Sequence, residues 1–183
     1  MKVAFHTLGC KVNQYESAAL EDIFRSAGYE IVNFKEKADV YVINTCTVTH
    51  LSDKKSRQAI RRGVRRNPEA IVAVVGCYSQ VCPQEVESIP GVDIVVGTKE
   101  RTELPRLVEE VSHKGIKINM VREDTETEGF EDIPWPEEAG RARAFLKIQE
   151  GCEQYCSYCI IPYARGKQRS QKPDLVIEKI KEI

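Results

Sequence analysis

Cysteine is the residue type in this chain with the clearest capacity for chemistry. The seven cysteines lie at positions 10, 46, 77, 82, 152, 156 and 159. Because the number is odd, a complete set of internal disulfides is excluded. Thiolates are preferred ligands of soft metal ions and of iron–sulfur clusters. Metal binding is therefore the first chemistry that this sequence predicts.

The last three cysteines are the most closely spaced. Cys152, Cys156 and Cys159, called the second triad below, form a C-x3-C-x2-C pattern in the segment GCEQYCSYC. Three thiolates at this spacing can enclose one compact soft-metal site. A structural zinc ion takes four ligands, but the histidines are distant, at positions 6, 50 and 113. A 4Fe–4S cluster with one open iron suits three thiolates better, with a zinc site or a disulfide as the alternative.

Three earlier cysteines are far apart in sequence but share one kind of position. Cys10, Cys46 and Cys77, called the first triad below, each follow an expected β-strand. The carboxyl ends of parallel strands lie along one edge of an open sheet, where ligands bind, so these thiols are expected to converge. The residues before them are small or turn-prone: Gly9, Thr45 and Gly76. Such residues let the backbone approach a bulky ligand, which predicts a metal or cluster site, with three buried structural thiols as the alternative.

The remaining cysteine, Cys82, comes four residues after Cys77 and directly before Pro83. Two interpretations are open for it. It is either a fourth ligand of the first site or an incidental residue in a turn that starts a helix.

The first 120 residues are expected to fold as alternating strands and helices. Short β-branched apolar runs are typical of buried parallel strands. They cover residues 3–8, 40–43, 71–75 and 92–96, with 30–34 as a weaker fifth run. The alternation with helical patterns predicts the α/β class, with an open parallel Rossmann-like sheet and right-handed crossovers.

Helical periodicity connects these strands. The spacing of Leu20, Ile23, Phe24 and Ala27 predicts a first helix, with Asn13 and Glu16 as its capping box and Gly28 at its end. Residues 53–67 and 100–111 are expected to form two further helices.

The composition changes after residue 121. Eight acidic residues surround two prolines and the only tryptophan: Glu123, Asp124, Glu126, Glu128, Glu131, Asp132, Glu137 and Glu138. We expect residues 1–120 to form one domain and residues 121–140 an exposed acidic linker. Residues 141–183 then read as a strand (141–149), the second triad and a helix (173–183). They are expected to be the first unit of a truncated second domain, because about 43 residues cannot build a core alone.

Basic residues are concentrated in two places. The helix 53–67 carries Lys54, Lys55, Arg57, Arg61, Arg62, Arg65 and Arg66 on about half of its circumference, called the basic face below. A second basic stretch contains Arg165, Lys167, Arg169 and Lys172. Both are either solvated surfaces or contacts to nucleic-acid phosphates. Tyr155, Tyr158 and Tyr163 either stack on a base or a cosubstrate or pack within the second domain.

The overall composition limits the class of protein. The net charge is −1, which excludes a wholly basic nucleic-acid binder but leaves room for local patches. The longest apolar run, residues 70–77, is far shorter than the roughly 20 residues of a membrane-spanning helix. The first residues do not resemble a secretory signal, so we expect a cytoplasmic protein with no membrane partner.

Four segments together resemble the methylthiotransferase family of radical S-adenosylmethionine enzymes. They are HTLGCKVNQYES at 6–17, VINTCTVT at 42–49, VGCY at 75–78, and residues 151–170 with CIIPYARG. The last segment resembles the C-x3-C-x2-C signature that follows the first strand of the radical α/β barrel. The resemblance covers the whole chain in order, although Cys82 has no counterpart in the pattern.

The resemblance implies two 4Fe–4S clusters and S-adenosylmethionine as cofactors. The second triad would hold the cluster that binds and cleaves S-adenosylmethionine, and the first triad an auxiliary cluster concerned with sulfur. It assigns no catalytic acid or base, and it implies an electron donor as a partner. The substrate would be a tRNA anticodon loop, exposed as a single strand.

The wording of the first two motifs is most similar to one branch of the family. That branch inserts a methylthio group at carbon 2 of threonylcarbamoyladenosine next to the anticodon (nucleotide 37). The isopentenyladenosine branch is the alternative. In this truncated form, a non-catalytic iron–sulfur or zinc-binding module is a further alternative.

Overall fold

A six-stranded parallel sheet forms the centre of the described part of the chain. The computed structural model describes residues 1–122, 129–131, 133–134, 136 and 145–181. The strands are β1 (Lys2–Thr7), β2 (Glu30–Val32), β3 (Val40–Thr45), β4 (Ile71–Gly76), β5 (Ile94–Val96) and β6 (Ile118–Met120). Their order is β2-β1-β3-β4-β5-β6, and every pairing is parallel. The predicted α/β class with an open parallel sheet is confirmed.

Helices cover both faces of this sheet. They are α1 (Lys11–Ser26), α2 (His50–Arg66), α3 (Cys77–Val81), α4 (Pro83–Glu87) and α5 (Leu104–Lys114), which follows a short 3-10 turn at Arg101–Glu103. One core contains Val40 and Val42 with α1 and α5, and the other contains Tyr41 and Ile43 with α2 and α4. Side chains alternate along a strand, so β3 buries both of its faces, as its continuous apolar run predicts.

Sequence reasoning misplaced the start of α1. The helix begins at Lys11, with Cys10 at the N-cap and no side chain capping it, so the predicted capping box of Asn13 and Glu16 is wrong. Both side chains lie in the first turns of the helix and are fully buried, where they bond to other elements. The prediction for the end is confirmed, because Gly28 follows the C-cap with φ +85°.

The basic helix α2 starts three residues earlier than expected. Thr49 accepts a hydrogen bond from the backbone N–H of Ser52, which caps the helix at His50. The helix stops before Asn67-Pro68, as predicted. Ala59 and Ile60 are fully buried against the sheet, which leaves the opposite side of α2 to the basic residues.

The region around the second triad is less regular than predicted. Of the strand expected over 141–149, residues 145–148 are not strand and only β7 (Gln149–Glu150) forms; residues 141–144 lie outside the described part. β7 pairs antiparallel with β8 (Arg169–Ser170), and each supplies only two residues to the pairing. After the triad come α6 (Ile161–Arg165) and α7 (Pro173–Lys181).

The described part of the predicted acidic linker is not fully exposed. Ile133 is buried, and Glu131 forms an ion pair with the buried Arg101. The other acidic residues named above, at 123–128, 132 and 137–138, lie outside the described residues. Among the helices that the structure describes, none is long and apolar enough to cross a bilayer.

Candidate metal centre

The first triad lies at one edge of the sheet. Strands β1, β3 and β4 are adjacent, and Thr45 at the end of β3 pairs with Gly76 at the end of β4. Cys46 follows β3 directly, Cys77 is the first residue of α3, and Cys10 is the N-cap of α1. The topology thus brings three cysteines separated by up to 67 positions to the same sheet edge, as the sequence predicted.

Gly9 shows how close the first two strand ends are. It has φ +109°, and a Cβ placed on it would lie 2.9 Å from the Cβ of Cys46. Any other residue here would be strained and would collide with Cys46. Gly9, the residue before Cys10, therefore packs directly on Cys46.

Asn13 is not the helix cap that the sequence suggested, but a buried residue that bonds to the ends of two strands. Its amide nitrogen donates to the carbonyls of Leu8 and Thr45, both at 3.0 Å, and its Oδ1 accepts from the Cys10 thiol at 3.4 Å. Asn44 donates back to the Asn13 carbonyl at 3.1 Å. These buried bonds tie α1 to the ends of β1 and β3. The available sequence signal for this network is its partner Asn44, a polar residue within the mostly apolar strand VYVINT.

The thiols of the first triad are all free, and they differ in exposure. Cys10 is exposed, whereas Cys46 and Cys77 are buried. Burial raises the pKa of the Cys77 thiol, and the nearby Arg165 guanidinium opposes this rise. A positive charge is therefore built into the site beside one of its sulfurs.

The second triad lies in the loop between β7 and α6. Cys152 and Cys159 are half-buried and Cys156 is exposed, and all three are free thiols. The Cys152 N–H donates to the Gly166 carbonyl at 3.0 Å, and the Cys159 N–H donates to the Cys156 carbonyl at 2.9 Å. The second bond closes a tight turn of the backbone between the last two cysteines of the motif.

Each triad offers three free cysteine thiols as its donor set. In the described part of the chain, no three His, Cys, Asp or Glu side chains are arranged to hold one ion. A mononuclear zinc site needs its ligands around one centre. In a cubane cluster each thiolate binds a different iron, so three cysteines are a fitting donor set for a cluster with one open iron.

A buried ion cluster joins the two triad regions. Its members are Glu16, Arg101, Glu131, Lys147, Glu150, Arg165 and Arg169. Glu16, on α1, is its centre. Its carboxylate accepts from Arg165 at 2.8 and 3.1 Å and from Lys147 at 3.2 Å, and it pairs with Arg101. Three of its partners therefore come from parts of the chain at least 85 positions away.

The charges of this cluster depend on one another. Burial by itself would raise the pKa of Glu16, but Arg101, Arg165 and Lys147 together hold it well below its ordinary value. Burial likewise opposes the ionised form of Glu150, but Lys147 lowers its pKa below the usual range. Both carboxylates are therefore ionised at neutral pH, and each needs its cations to remain so.

The predicted basic surfaces are only partly on the surface. Arg165 is 5% exposed and belongs to the buried ion cluster, so it differs from the exposed phosphate contact that the sequence suggested. Arg169 is half-buried and bonds to Glu150, whereas Lys167 is exposed. Local sequence shows that a residue is basic but not that its acidic partner lies in a distant helix.

Several members of the basic face of α2 also have hydrogen-bond partners within the chain. Arg57 donates to the Tyr78 hydroxyl at 2.8 Å and to Glu85 at 3.0 Å. Arg66 donates to the Lys35 carbonyl at 2.6 Å. Arg62 lies 3.4 Å from His6 Nε2, and Arg65 donates to the Arg61 carbonyl at 3.2 Å. All members except Arg57 are exposed: Lys54, Lys55, Arg61, Arg62, Arg65 and Arg66.

The three tyrosines near the second triad lie on the surface, whereas Cys82 lies against the core. Tyr155, Tyr158 and Tyr163 are all exposed, and the rings of Tyr155 and Tyr163 meet edge to face at 6.0 Å. Cys82 is half-buried in the turn that begins α4 and packs on the core beneath α2. This position matches the interpretation of Cys82 as a residue in a helix-starting turn.

Comparison with known sequences gives consistent results. The chain is 50% identical to the threonylcarbamoyladenosine tRNA methylthiotransferase MtaB of Bacillus subtilis (strain 168), over 99% of this chain and 40% of that protein. It is 46% identical to MtaB of Aquifex aeolicus (strain VF5), over 99% of this chain and 44% of that protein. The tRNA-2-methylthio-N(6)-dimethylallyladenosine synthase of Moorella thermoacetica is 36% identical, over 97% of this chain and 41% of that protein.

These similarities confirm the resemblance to the methylthiotransferases. The chain spans roughly two fifths of the length of the curated relatives that it matches. Residues 2–97, which contain the first triad and five of the six sheet strands, match the family described as "Uncharacterized protein family UPF0004". Because the match covers more than half of the 183 residues, the chain belongs to this family.

Proposed function

We propose that this chain is the part of a tRNA methylthiotransferase that carries both of its iron–sulfur sites. One observation carries the proposal. A chain 50% identical to a threonylcarbamoyladenosine tRNA methylthiotransferase contains two separate cysteine triads, and its fold connects them through one buried ion cluster. The proposed domain division is 1–120 and 141–183, with residues 121–140 between them.

Each triad has a separate role in this proposal. Cys10, Cys46 and Cys77 hold an auxiliary 4Fe–4S cluster, and Cys152, Cys156 and Cys159 hold the cluster that takes S-adenosylmethionine. When bound, these groups supply the radical and sulfur chemistry that an adenine C–H bond requires, because no acid or base can activate it. The protein contributes fixed ligands, the Asn13 bonds that hold the sheet edge together, and a positive charge from Arg165.

The proposed substrate is threonylcarbamoyladenosine in a tRNA anticodon loop. The two MtaB relatives share 46–50% of residues with this chain, against 36% for the dimethylallyladenosine relative. We also propose that the protein acts in the cytoplasm, where it meets tRNA. An external electron donor is part of the same proposal, because a cluster must be reduced before it can start radical chemistry.

A replacement experiment tests this function directly. The corresponding residues of the Bacillus subtilis relative are exchanged for this chain, and the hybrid is expressed in a strain that lacks the native protein. We expect mass spectrometry of tRNA nucleosides to show the methylthio group restored on threonylcarbamoyladenosine. Restoration on isopentenyladenosine instead would contradict the substrate, and a hybrid that binds both clusters but modifies neither nucleoside would contradict the function.

The exposed part of the basic face is proposed to contact tRNA phosphates. Lys54 and Lys55 lie in the first turns of α2, close to the strand ends that carry the first triad. Arg65 is about 16 Å further along the helix axis, towards the opposite sheet edge. The start of α2 is therefore the part of the basic face that is closest to the proposed reaction site.

The double substitution Lys54→Gln/Lys55→Gln is expected to weaken tRNA binding. Affinity for nucleic acid falls as the salt concentration rises. Each lost phosphate contact makes the negative slope of log affinity against log salt concentration shallower by about 0.7 to 0.9. Filter binding or fluorescence titration at several salt concentrations measures this slope. Arg106→Gln/Lys114→Gln on α5, which packs on the other sheet face, is the control of equal charge. An equal loss in both variants would show that only net charge matters.

A further inference from the structure

We infer that Arg165 is a positioning residue that locks the second-triad segment onto the first-triad edge of the sheet. The inference rests on the proposed function only in taking both triads as cluster ligands. The docking itself is a property of the protein without any cluster. No catalytic contact is assigned to Arg165.

The geometry of the guanidinium carries the inference. Its Nη1 and Nη2 donate to the two carboxylate oxygens of Glu16, at 2.8 and 3.1 Å, which is a bidentate fork. Nη2 also donates to Asn13 Oδ1 at 3.1 Å. Arginine alone among the basic residues offers this planar fork, since lysine provides a single charged centre.

These contacts reach members of both triads. Asn13 Oδ1, which accepts from Arg165, also accepts from the Cys10 thiol. The same guanidinium lies beside Cys77. On the other side, the next residue in the chain, Gly166, binds the Cys152 N–H through its carbonyl. A shift of Arg165 would therefore move the second triad relative to the first.

A neutral contact supports the same docking independently. The Thr98 hydroxyl, at the end of the sheet beyond β5, donates to the Ala164 carbonyl of α6 at 2.9 Å, and this bond is buried. The short helix α6 packs on α3, the helix that starts with Cys77. Two bonds of different chemistry at neighbouring residues thus hold one segment.

Hydrogen exchange on the iron-free protein tests the docking. In Arg165→Met and Arg165→Lys, we expect the amides of Cys152 and Gly166 to exchange about tenfold faster or more, because a charge-assisted fork is lost. The amides of β3 and β4 should be unchanged. The control Arg106→Met, on the exposed face of α5, should behave as the parent.

Thr98→Val provides a second variant without a change in charge. It should speed exchange in the same segment by a smaller factor, and it covers the case in which the Arg165 variants fold poorly. Unchanged exchange at Cys152 and Gly166 in Arg165→Met, or complete recovery in Arg165→Lys, would overturn the inference. Because the protein in this experiment contains no iron, its exchange rates test the docking independently of whether the triads bind clusters.

We expect the reconstituted parent to show a magnetic interaction between its two reduced clusters, and this interaction gives the positional readout. We expect the Arg165 variants to keep their iron but to lose or broaden this interaction in electron paramagnetic resonance. A merely structural role would lower the iron content instead. Failure of the proposed function would appear as iron missing from the parent itself.

Discussion

Replacing Glu16 by Gln is expected to lower the free energy of unfolding by about 3 to 5 kcal/mol. The substitution keeps the shape of the side chain but leaves Arg101, Lys147 and Arg165 buried without their shared anion. Removing one partner of a buried ion pair has a cost of this size, because the remaining charges stay out of water. Urea unfolding with an unchanged m-value measures it.

The pH dependence of the same variant identifies the charge as the cause. Folding lowers the pKa of Glu16 well below its ordinary value of 4.5. The contribution of Glu16 to the free energy of unfolding is therefore fully present above pH 4.5 and is lost as the pH falls further, towards the folded-state pKa. The stability difference between the parent and Glu16→Gln should therefore narrow in acid. Glu103→Gln, which removes an exposed pair with Arg106, is the control and should lower the free energy of unfolding far less, because water screens exposed charges. A Glu16→Gln variant as stable as this control would contradict the ion cluster as a structural centre.

Replacing Gly151 by Ala is expected to abolish iron binding at the second triad alone. Gly151 has φ +78°, and a Cβ there would collide with the backbone carbonyl oxygen of Lys167. Backbone cannot give way as a flexible side chain does, so the loop that begins with Cys152 must open. The iron content should fall from about eight to about four per chain.

A glycine with the same backbone conformation but open surroundings provides the control. Gly28 has φ +85°, and nothing lies within 4 Å of an added Cβ. Gly28→Ala should therefore have only the conformational cost of about 1 to 2 kcal/mol and should keep all of its iron. If Gly151→Ala also keeps about eight irons, the loop geometry around the second triad is wrong.

The first triad was predictable because its signal is both local and topological. Each cysteine follows an apolar strand, and parallel strands end at a common edge, so the sequence placed Cys10, Cys46 and Cys77 together without knowledge of any contact. Strand β6 was missed because its three residues, INM, are too few to show a period. Only its parallel pairing with β5 in the folded chain identifies it as a strand.

The buried ion cluster was not predictable, for a different physical reason. Glu16 and Arg165 are separated by 149 positions, and each has a plausible local role as a helix cap or a phosphate contact. Only the folded chain shows that they neutralise one another in the interior. A basic residue in an otherwise apolar helix turn, such as Arg165 after IPYA, was the available hint.

Iron analysis shows whether the two triads hold two separate clusters. After anaerobic reconstitution, iron and acid-labile sulfide are counted in the parent and in two triple variants, Cys10→Ala/Cys46→Ala/Cys77→Ala and Cys152→Ala/Cys156→Ala/Cys159→Ala. We expect about eight irons per chain in the parent and about four in each variant. Zinc in place of iron, or a parent that holds only about four irons, all of them lost with one triad, would contradict the account.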